Sequence, residues 1–167
     1  MPAPLFNRWP LWGLLASAAM LGAAHAFETF GHLSPCTLCL RQREVYWVAM
    51  AVAAIGAALG FSAWRARSTR WFCVLLGLIF LYGAGLAAYH AGAEWGWWKG
   101  PAACSGGAVH VTAADLARVL DARASVPACD KAPWVFLGLS MAGWNALISL
   151  SLAIVSGWAA ARTRSAP

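Results

Sequence analysis

Four long stretches of the chain carry no formal charge, and they limit the folds open to it more than any other feature. They are Trp9 to Phe27, Val45 to Trp64, Trp71 to Ala93 and Ala132 to Ala161. A helix needs roughly 20 apolar residues to cross the hydrocarbon core of a bilayer. Each stretch is of that order or longer. Tryptophans mark their ends: Trp9, Trp12, Trp47, Trp64, Trp71, Trp134 and Trp158. Amphipathic indole rings prefer the headgroup level, so this placement fits interface anchoring. Of the 167 residues, 61% are hydrophobic and 11% charged, whereas soluble domains sit nearer ~45–50% and ~25%. Too little polar sequence remains to cover four buried helices in water. A disordered chain would be polar and rich in charge, so that class is excluded as well. The net charge of +6 does not point to nucleic acid: there is no basic stripe, and most of the charge falls in short gaps between apolar runs.

The expected fold is an all-α integral membrane protein, a four-transmembrane-helix bundle forming one domain over 1–167. Its spans lie at about 9–30, 45–64, 71–91 and 134–160, with loops at about 31–44 and 92–133. The first run also has features of a secretory signal. Arg8 precedes it, and Ala24-His25-Ala26 has the small-x-small form of a cleavage site. Its length, and Trp9, Pro10 and Trp12 within it, favour a retained span.

Arg8, Arg65, Arg67, Arg70, Arg162 and Arg164 share one side of the membrane in this topology. Arg41, Arg43, Lys99, Arg118, Arg123 and Lys131 share the other. The raw count is a tie. The first six lie in very short segments, where the positive-inside rule is strong, and four of the second six lie in a loop of about 40 residues, where it is weak. Both termini are therefore read as cytoplasmic. Cys36 and Cys39 lie between spans one and two, Cys104 and Cys129 between spans three and four. Two spans separate the pairs, so they share a side whichever way the protein points. Four cysteines on the non-cytoplasmic side suit an oxidising compartment. Cys73, at the other end of span three, reads as a small buried hydrophobe.

The first loop runs Pro35-Cys36-Thr37-Leu38-Cys39-Leu40-Arg41-Gln42-Arg43. A Cys-x-x-Cys closes a small ring when oxidised and often carries a lowered thiol pKa. By itself it could be a redox dithiol, half a zinc site or a structural element. Zinc usually takes four ligands, which Cys104 and Cys129 could complete. Arg41 and Arg43 weigh against an incoming cation and would stabilise a thiolate instead, although an arginine at a span end can also simply snorkel. The second loop, from Glu94 to Gly107, is rich in glycine and tryptophan and contains Cys104. Thr112 to Arg123 reads as a short amphipathic interfacial helix, with Thr112 and Asp115 resembling a capping box. Two dithiol pairs on one side suggest a relay, since pairs that can reach each other can trade one disulfide. His25, His32 and His90 could in principle hold a haem; interfacial polar residues are the plainer reading. His110 reads as a solvated loop residue.

The sequence resembles the bacterial disulfide bond formation protein B (DsbB) family over nearly its whole length. The resemblance rests on Pro35-Cys36-x-x-Cys39-x-x-Gln42-Arg43, on Tyr89-His90 through Gly96-Trp97-Trp98 to Cys104, and on Pro127-x-Cys129. It implies a bacterial inner-membrane protein that oxidises a periplasmic DsbA-like thioredoxin-fold partner and passes the electrons to ubiquinone, or to menaquinone. In that implied scheme Cys104 is attacked by the partner's thiolate. Cys129 then exchanges onto Cys36, and Cys39 is the thiolate that meets the quinone. Arg43 would sit beside the quinone, with His90 also close to it. The family often has Glu at position 42; Gln42 is accordingly given no proton-transfer role. Two other readings stay open: a four-cysteine zinc or haem module, and a vitamin K epoxide reductase-like oxidoreductase. Proteins of the latter kind place their Cys-x-x-Cys late in the chain, whereas here the last apolar run has no cysteine.

Overall fold

A computed structural model describes residues 8–59, 65–101 and 129–163, with side chains from residue 69 onwards in the third helix. Four helices carry the apolar runs among the described residues: α1 (Trp9–Thr29), α2 (Thr37–Leu59), α3 (Arg65–Glu94) and α4 (Met141–Arg162). A two-stranded antiparallel hairpin, β1 (Val135–Phe136) and β2 (Leu139–Ser140), precedes α4. Three helices are long and apolar enough to cross a membrane: α1, the Thr69–Glu94 part of α3, and α4. The helices are apolar on nearly every face, and in a chain this poor in charge that is the pattern of segments surrounded by lipid. Leu15, Trp47, Ile55, Leu78, Leu81 and Ile154 are accordingly exposed on the outside of the protein.

Local chemistry sets the helix ends. Pro10 sits at the start of α1, where its missing N–H costs nothing. Ser140 caps α4 by accepting from the Gly143 backbone N–H at 3.1 Å. Arg162 lies in the last turn of α4, near the negative end of its dipole. Trp9 Nε1 donates to Ser156 Oγ at 2.9 Å, tying the start of α1 to the far part of α4.

Packing between helices relies on small residues, because lipid tails remove the usual hydrophobic drive for helices to associate. α3 lies along α4, α1 against α2, and α2 against α3, while α1 and α4 scarcely meet. Ala49, Ala53 and Gly56 form a small-residue stripe on α2, all buried. A Cβ on Gly56 would lie 2.8 Å from Phe72 Cγ, so the close approach of α2 and α3 there requires glycine. Leu21, Tyr46, Leu76 and Phe80 fill the adjoining core. Cys73 is fully buried against Ala159 and Ala160 of α4, as a small apolar residue would be.

Three expectations are corrected. The segment from Trp134 to Ser140 does not continue the last helix, which starts at Met141. Leu137 and Gly138 both have positive φ, 50° and 78°, as the two central residues of a type I′ hairpin turn require. Charge-free sequence marked the run as apolar but could not distinguish hairpin from helix. The Cys-x-x-Cys segment is likewise no open loop. α2 already begins at Thr37, well before Val45, so Cys39, Gln42 and Arg43 are helical. α3 also extends beyond the expected 71–91 at both ends. Cys104, His110 and the Thr112–Arg123 segment lie outside the described residues.

Candidate functional site: a buried dithiol beside an apolar cavity

Cys36 occupies the N-cap of α2. Its sulfur accepts from the Cys39 backbone N–H at 3.2 Å, and its carbonyl receives the first helical bond, from Leu40 N at 3.1 Å. Helix N-termini present unpaired N–H groups and a partial positive charge, so a sulfur held there is stabilised as an anion. Cys36 and Cys39 are free thiols, with their sulfurs 2.8 Å apart. The Cys39 thiol as donor is the largest influence on Cys36. Burial opposes it, and His90, whose Nε2 lies 3.5 Å from Cys36 Sγ, adds to it. The balance pulls the Cys36 thiol down to about 4. The donors thus converge on Cys36 rather than on Cys39.

Cys129 is disulfide-bonded and only 1% exposed. It shares one buried cluster with Cys36 and Leu38, against which Cys39 and Leu86 pack. A disulfide sulfur and the free dithiol are therefore packed together, as an exchange between them requires. The bridge partner of Cys129 is none of the other described cysteines, which all carry free thiols. A disulfide sulfur is also no thiolate, so Cys129 is not presented as the fourth ligand of a zinc site.

His90 and Glu94 stand one turn apart on α3, with side chains 4% and 2% exposed and His90 Nε2 3.7 Å from Glu94 Oε1. Ser140 hydrogen-bonds the Glu94 carboxyl, yet Glu94 Oε2 is buried without a partner. On its other side His90 meets Gln42: Gln42 Nε2 donates to His90 Nδ1 at 2.8 Å. With the Gln42 amide in this orientation its nitrogen can only donate, which suits a neutral ring protonated on Nε2. Cys36, Cys39 and His90 lie within 4.8 Å of one another. Their donor types would suit a soft metal ion with Nε2 unprotonated, whereas a ring protonated on Nε2 presents no lone pair to the sulfurs' side.

Arg43 is neither snorkelling nor free. Its Nη1 donates to Glu28 Oε2 at 2.6 Å and its Nη2 to the Ala24 carbonyl at 3.2 Å. These bonds join α2 to α1. His25 is more than half exposed and lies 3.8 Å from the same Glu28 carboxylate. His32 sits beyond the end of α1 with a positive φ of 52°. Neither shares the buried position of His90.

Cys36, Cys39, Gln42, Arg43, His90 and Glu94 border one cavity of about 370 Å³, within the range of small-molecule sites, about 300–1,000 Å³. Its lining comes from α1, α2, α3, α4 and the hairpin before α4. Met20, Phe27, Met141 and Ile148 form apolar walls, and Cys39, Arg43, His90 and Glu94 are among the few polar groups lining it. Phe27 and Trp134 meet edge-on-tilted at 5.2 Å beside it. Sequence reasoning missed Glu28, Glu94 and Asn145. Each had a signal: an acid or amide inside or at the end of an apolar run is costly there and needs a partner.

Comparisons with known proteins show the family. The family model described as disulfide bond formation protein DsbB matches residues 7–159. A disulfide bond formation protein B from Methylococcus capsulatus (strain Bath) is 32% identical over 154 residues, covering 87% of this chain and 88% of that protein. One from Nitrosococcus oceani is 28% identical over 168 residues, covering 93% and 92%. No solved structure matches the chain significantly. With a family match over nearly its full length and a buried dithiol at the position of the motif, the chain belongs to the disulfide bond formation protein DsbB family.

Proposed function

We propose that this membrane protein oxidises the dithiol of a periplasmic DsbA-like thioredoxin-fold partner and transfers the electrons to membrane quinone, ubiquinone or menaquinone. The observation that carries the reading is the packing of disulfide-bonded Cys129 against the free Cys36–Cys39 pair at the edge of an apolar cavity. The partner's thiolate attacks Cys104, and a partner disulfide forms as the Cys104 and Cys129 sulfurs are reduced. Exchange with an oxidised Cys36–Cys39 pair restores the Cys104–Cys129 bridge and leaves Cys36 and Cys39 reduced.

The residues present fit a quinone. Apolar walls suit its ring and tail, while Arg43, and Glu94 when its unpartnered Oε2 carries a proton, can donate to its carbonyl oxygens. Bound quinone supplies a sink for two electrons and two protons. Cys36 is held as the anion, and Cys39, the less buried of the two, gives up the thiol proton that bonds it to Cys36. Both electrons leave the sulfurs as the Cys36–Cys39 bond closes. Arg43 stabilises negative charge at the cavity, where the low dielectric strengthens the effect. Glu94 Oε2 offers a second proton position beside His90.

The same reading makes α2 the fourth span of a single membrane domain. It puts the cysteine-bearing end in the periplasm and the termini in the cytoplasm, with the protein in the bacterial inner membrane. The arginines at positions 8, 65, 67, 70, 162 and 164 support that orientation.

Purified protein in detergent, mixed with reduced partner and ubiquinone, tests the reaction through quinone absorbance. Quinone loss that depends on the protein and stops in Cys104→Ala and Cys39→Ala variants is expected. Wild-type turnover by Cys104→Ala would sink the relay, and no consumption of either ubiquinone or menaquinone would sink the quinone reading.

A further inference from the structure

Behind His90 runs a chain of polar groups with no charge, buried where three helices meet. Gln42 and Tyr46 lie one turn apart on α2, and Asn145 and Ser149 one turn apart on α4, so each pair shares a helix face. His90 contributes from α3. Ser149 donates to the Tyr46 hydroxyl oxygen at 2.8 Å, and Tyr46 donates its own hydroxyl proton to Asn145 Oδ1 at 2.5 Å. With its oxygen so engaged, Asn145 turns its nitrogen to Gln42 Oε1 and donates there. Gln42 then has only its own nitrogen to offer His90 Nδ1. Each link has one direction once the Tyr46 hydroxyl points at Asn145. The far end is the ring proton on Nε2, 3.5 Å from Cys36 Sγ.

We propose that Gln42 and Asn145 are positioning residues that hold His90 in the tautomer whose Nε2–H faces Cys36 Sγ, and thereby set how much of that sulfur is thiolate. The inference rests on the proposed function only for the use to which the thiolate is put. Three observations support it. The chain is continuous and buried, and such networks specify one arrangement when every member is satisfied. It ends on the nitrogen next to the reactive sulfur. Its sense is also the reverse of a metal site, where a ligating histidine donates its second N–H to an acceptor.

A chain that merely held helices together would leave the ring proton and the sulfur's charge unchanged when altered without unfolding. That difference makes the test. The full-length protein, labelled with ¹⁵N in its histidine rings and reduced at Cys36–Cys39, is examined by NMR in detergent. His90 is assigned by the signal missing from His90→Gln. Alkylation of Cys36 is followed against pH by mass spectrometry. The other titratable groups around Cys36 are Cys39 on α2, Glu94 and His90 on α3, Lys131 on the cavity wall, and the Arg43–Glu28 pair. Cys129, bridged, does not titrate.

In the wild type, His90 is expected with Nδ1 unprotonated and Nε2 protonated. Asn145→Asp can only accept, so it captures the Gln42 N–H and turns the Gln42 oxygen to His90 Nδ1. The ring proton then moves to Nδ1, and the Cys36 midpoint rises by about one pH unit, a roughly tenfold loss of thiolate below it. The new carboxylate would itself raise that midpoint, so Asn145→Leu, which adds no charge, is measured beside it. It should give a mixed tautomer and a smaller rise. Wild-type His90 protonated on Nδ1 would overturn the inference. So would both variants keeping the wild-type tautomer and midpoint. The stated tautomer in a protein that reduces no quinone would overturn the proposed function and leave this inference standing.

Discussion

Arg43 on α2 donates to Glu28 on α1 at 2.6 Å, so the guanidinium bordering the cavity is held from both sides of the α1–α2 contact. Arg43 is 16% exposed but Glu28 is 39% exposed, so solvent screens the pair. Its contribution is about 1 kcal/mol or less. Glu28→Ala should therefore lower the unfolding midpoint by only about 2–4 °C. The larger effect should be on quinone KM, raised several-fold, with Arg43→Ala raising it more. Steady-state kinetics and thermal unfolding in detergent check both. An unchanged KM would mean that the Ala24 carbonyl alone holds the guanidinium.

The thiol at the start of α2 gives a pH signature. Cys36 is pulled down to about 4, first by the Cys39 thiol. Its alkylation rate should stay flat from about pH 6 to 8, where an ordinary thiol near about 8.5 gains close to tenfold per unit. Cys39→Ala removes the main donor and should return the rise with pH. Stability follows the same sign. A folded pKa below the unfolded value adds stability above the unfolded value, and that stability fades as pH falls towards the folded one. The reduced protein should thus gain thermal stability from about pH 5 to 8 relative to Cys36→Ser. Parallel curves for the two proteins would contradict a Cys36 anion.

Glu94 carries a buried oxygen with no partner, at the cavity and one turn from His90. Glu94→Gln keeps the shape and removes an exchangeable carboxyl proton. Positioned proton transfer is typically worth about 10²–10⁴-fold. A fall in kcat of about 10²-fold, with quinone KM changed less than threefold by order of magnitude, is expected. A rise in KM with kcat intact would assign Glu94 to binding instead.

Gly56 faces the Phe72 ring too closely for any side chain. Gly56→Ala should cost about 1–3 kcal/mol through overpacking, read as a lower unfolding midpoint. Phe72→Leu in the same chain should recover part of it. Full stability of the single variant would show that α2 and α3 separate at that point without penalty.

The sequence made the apolar runs legible because charge is so costly in a bilayer that its absence marks a helix. It also placed Cys36, Cys39, Arg43 and His90 among the site residues, since thiols and charges are conspicuous against such a background. It did not reveal that Cys36 would be an N-cap, because a helix start depends on a sulfur turning back to a backbone N–H. Nor did it reveal the Leu137–Gly138 turn. Gln42 was noticed and given no proton-transfer role; its contact with His90 comes from packing between α2 and α3. Asn145, an amide alone in the apolar run of α4, was visible yet had no meaning until its partners on α2 were known.

Placing a redox sulfur at the N-cap couples helix and electron affinity. When Cys36 is reduced, its negative sulfur satisfies the first turn of α2. When it is bonded to Cys39, that charge is gone and the turn keeps a weaker acceptor. The helix therefore favours the reduced dithiol, and by thermodynamic linkage the Cys36–Cys39 bridge becomes a stronger oxidant, each ~1.4 kcal/mol of preference raising its potential by about 30 mV. A few backbone N–H groups at one end of a helix thus help set how readily the protein draws electrons from whatever thiols it meets.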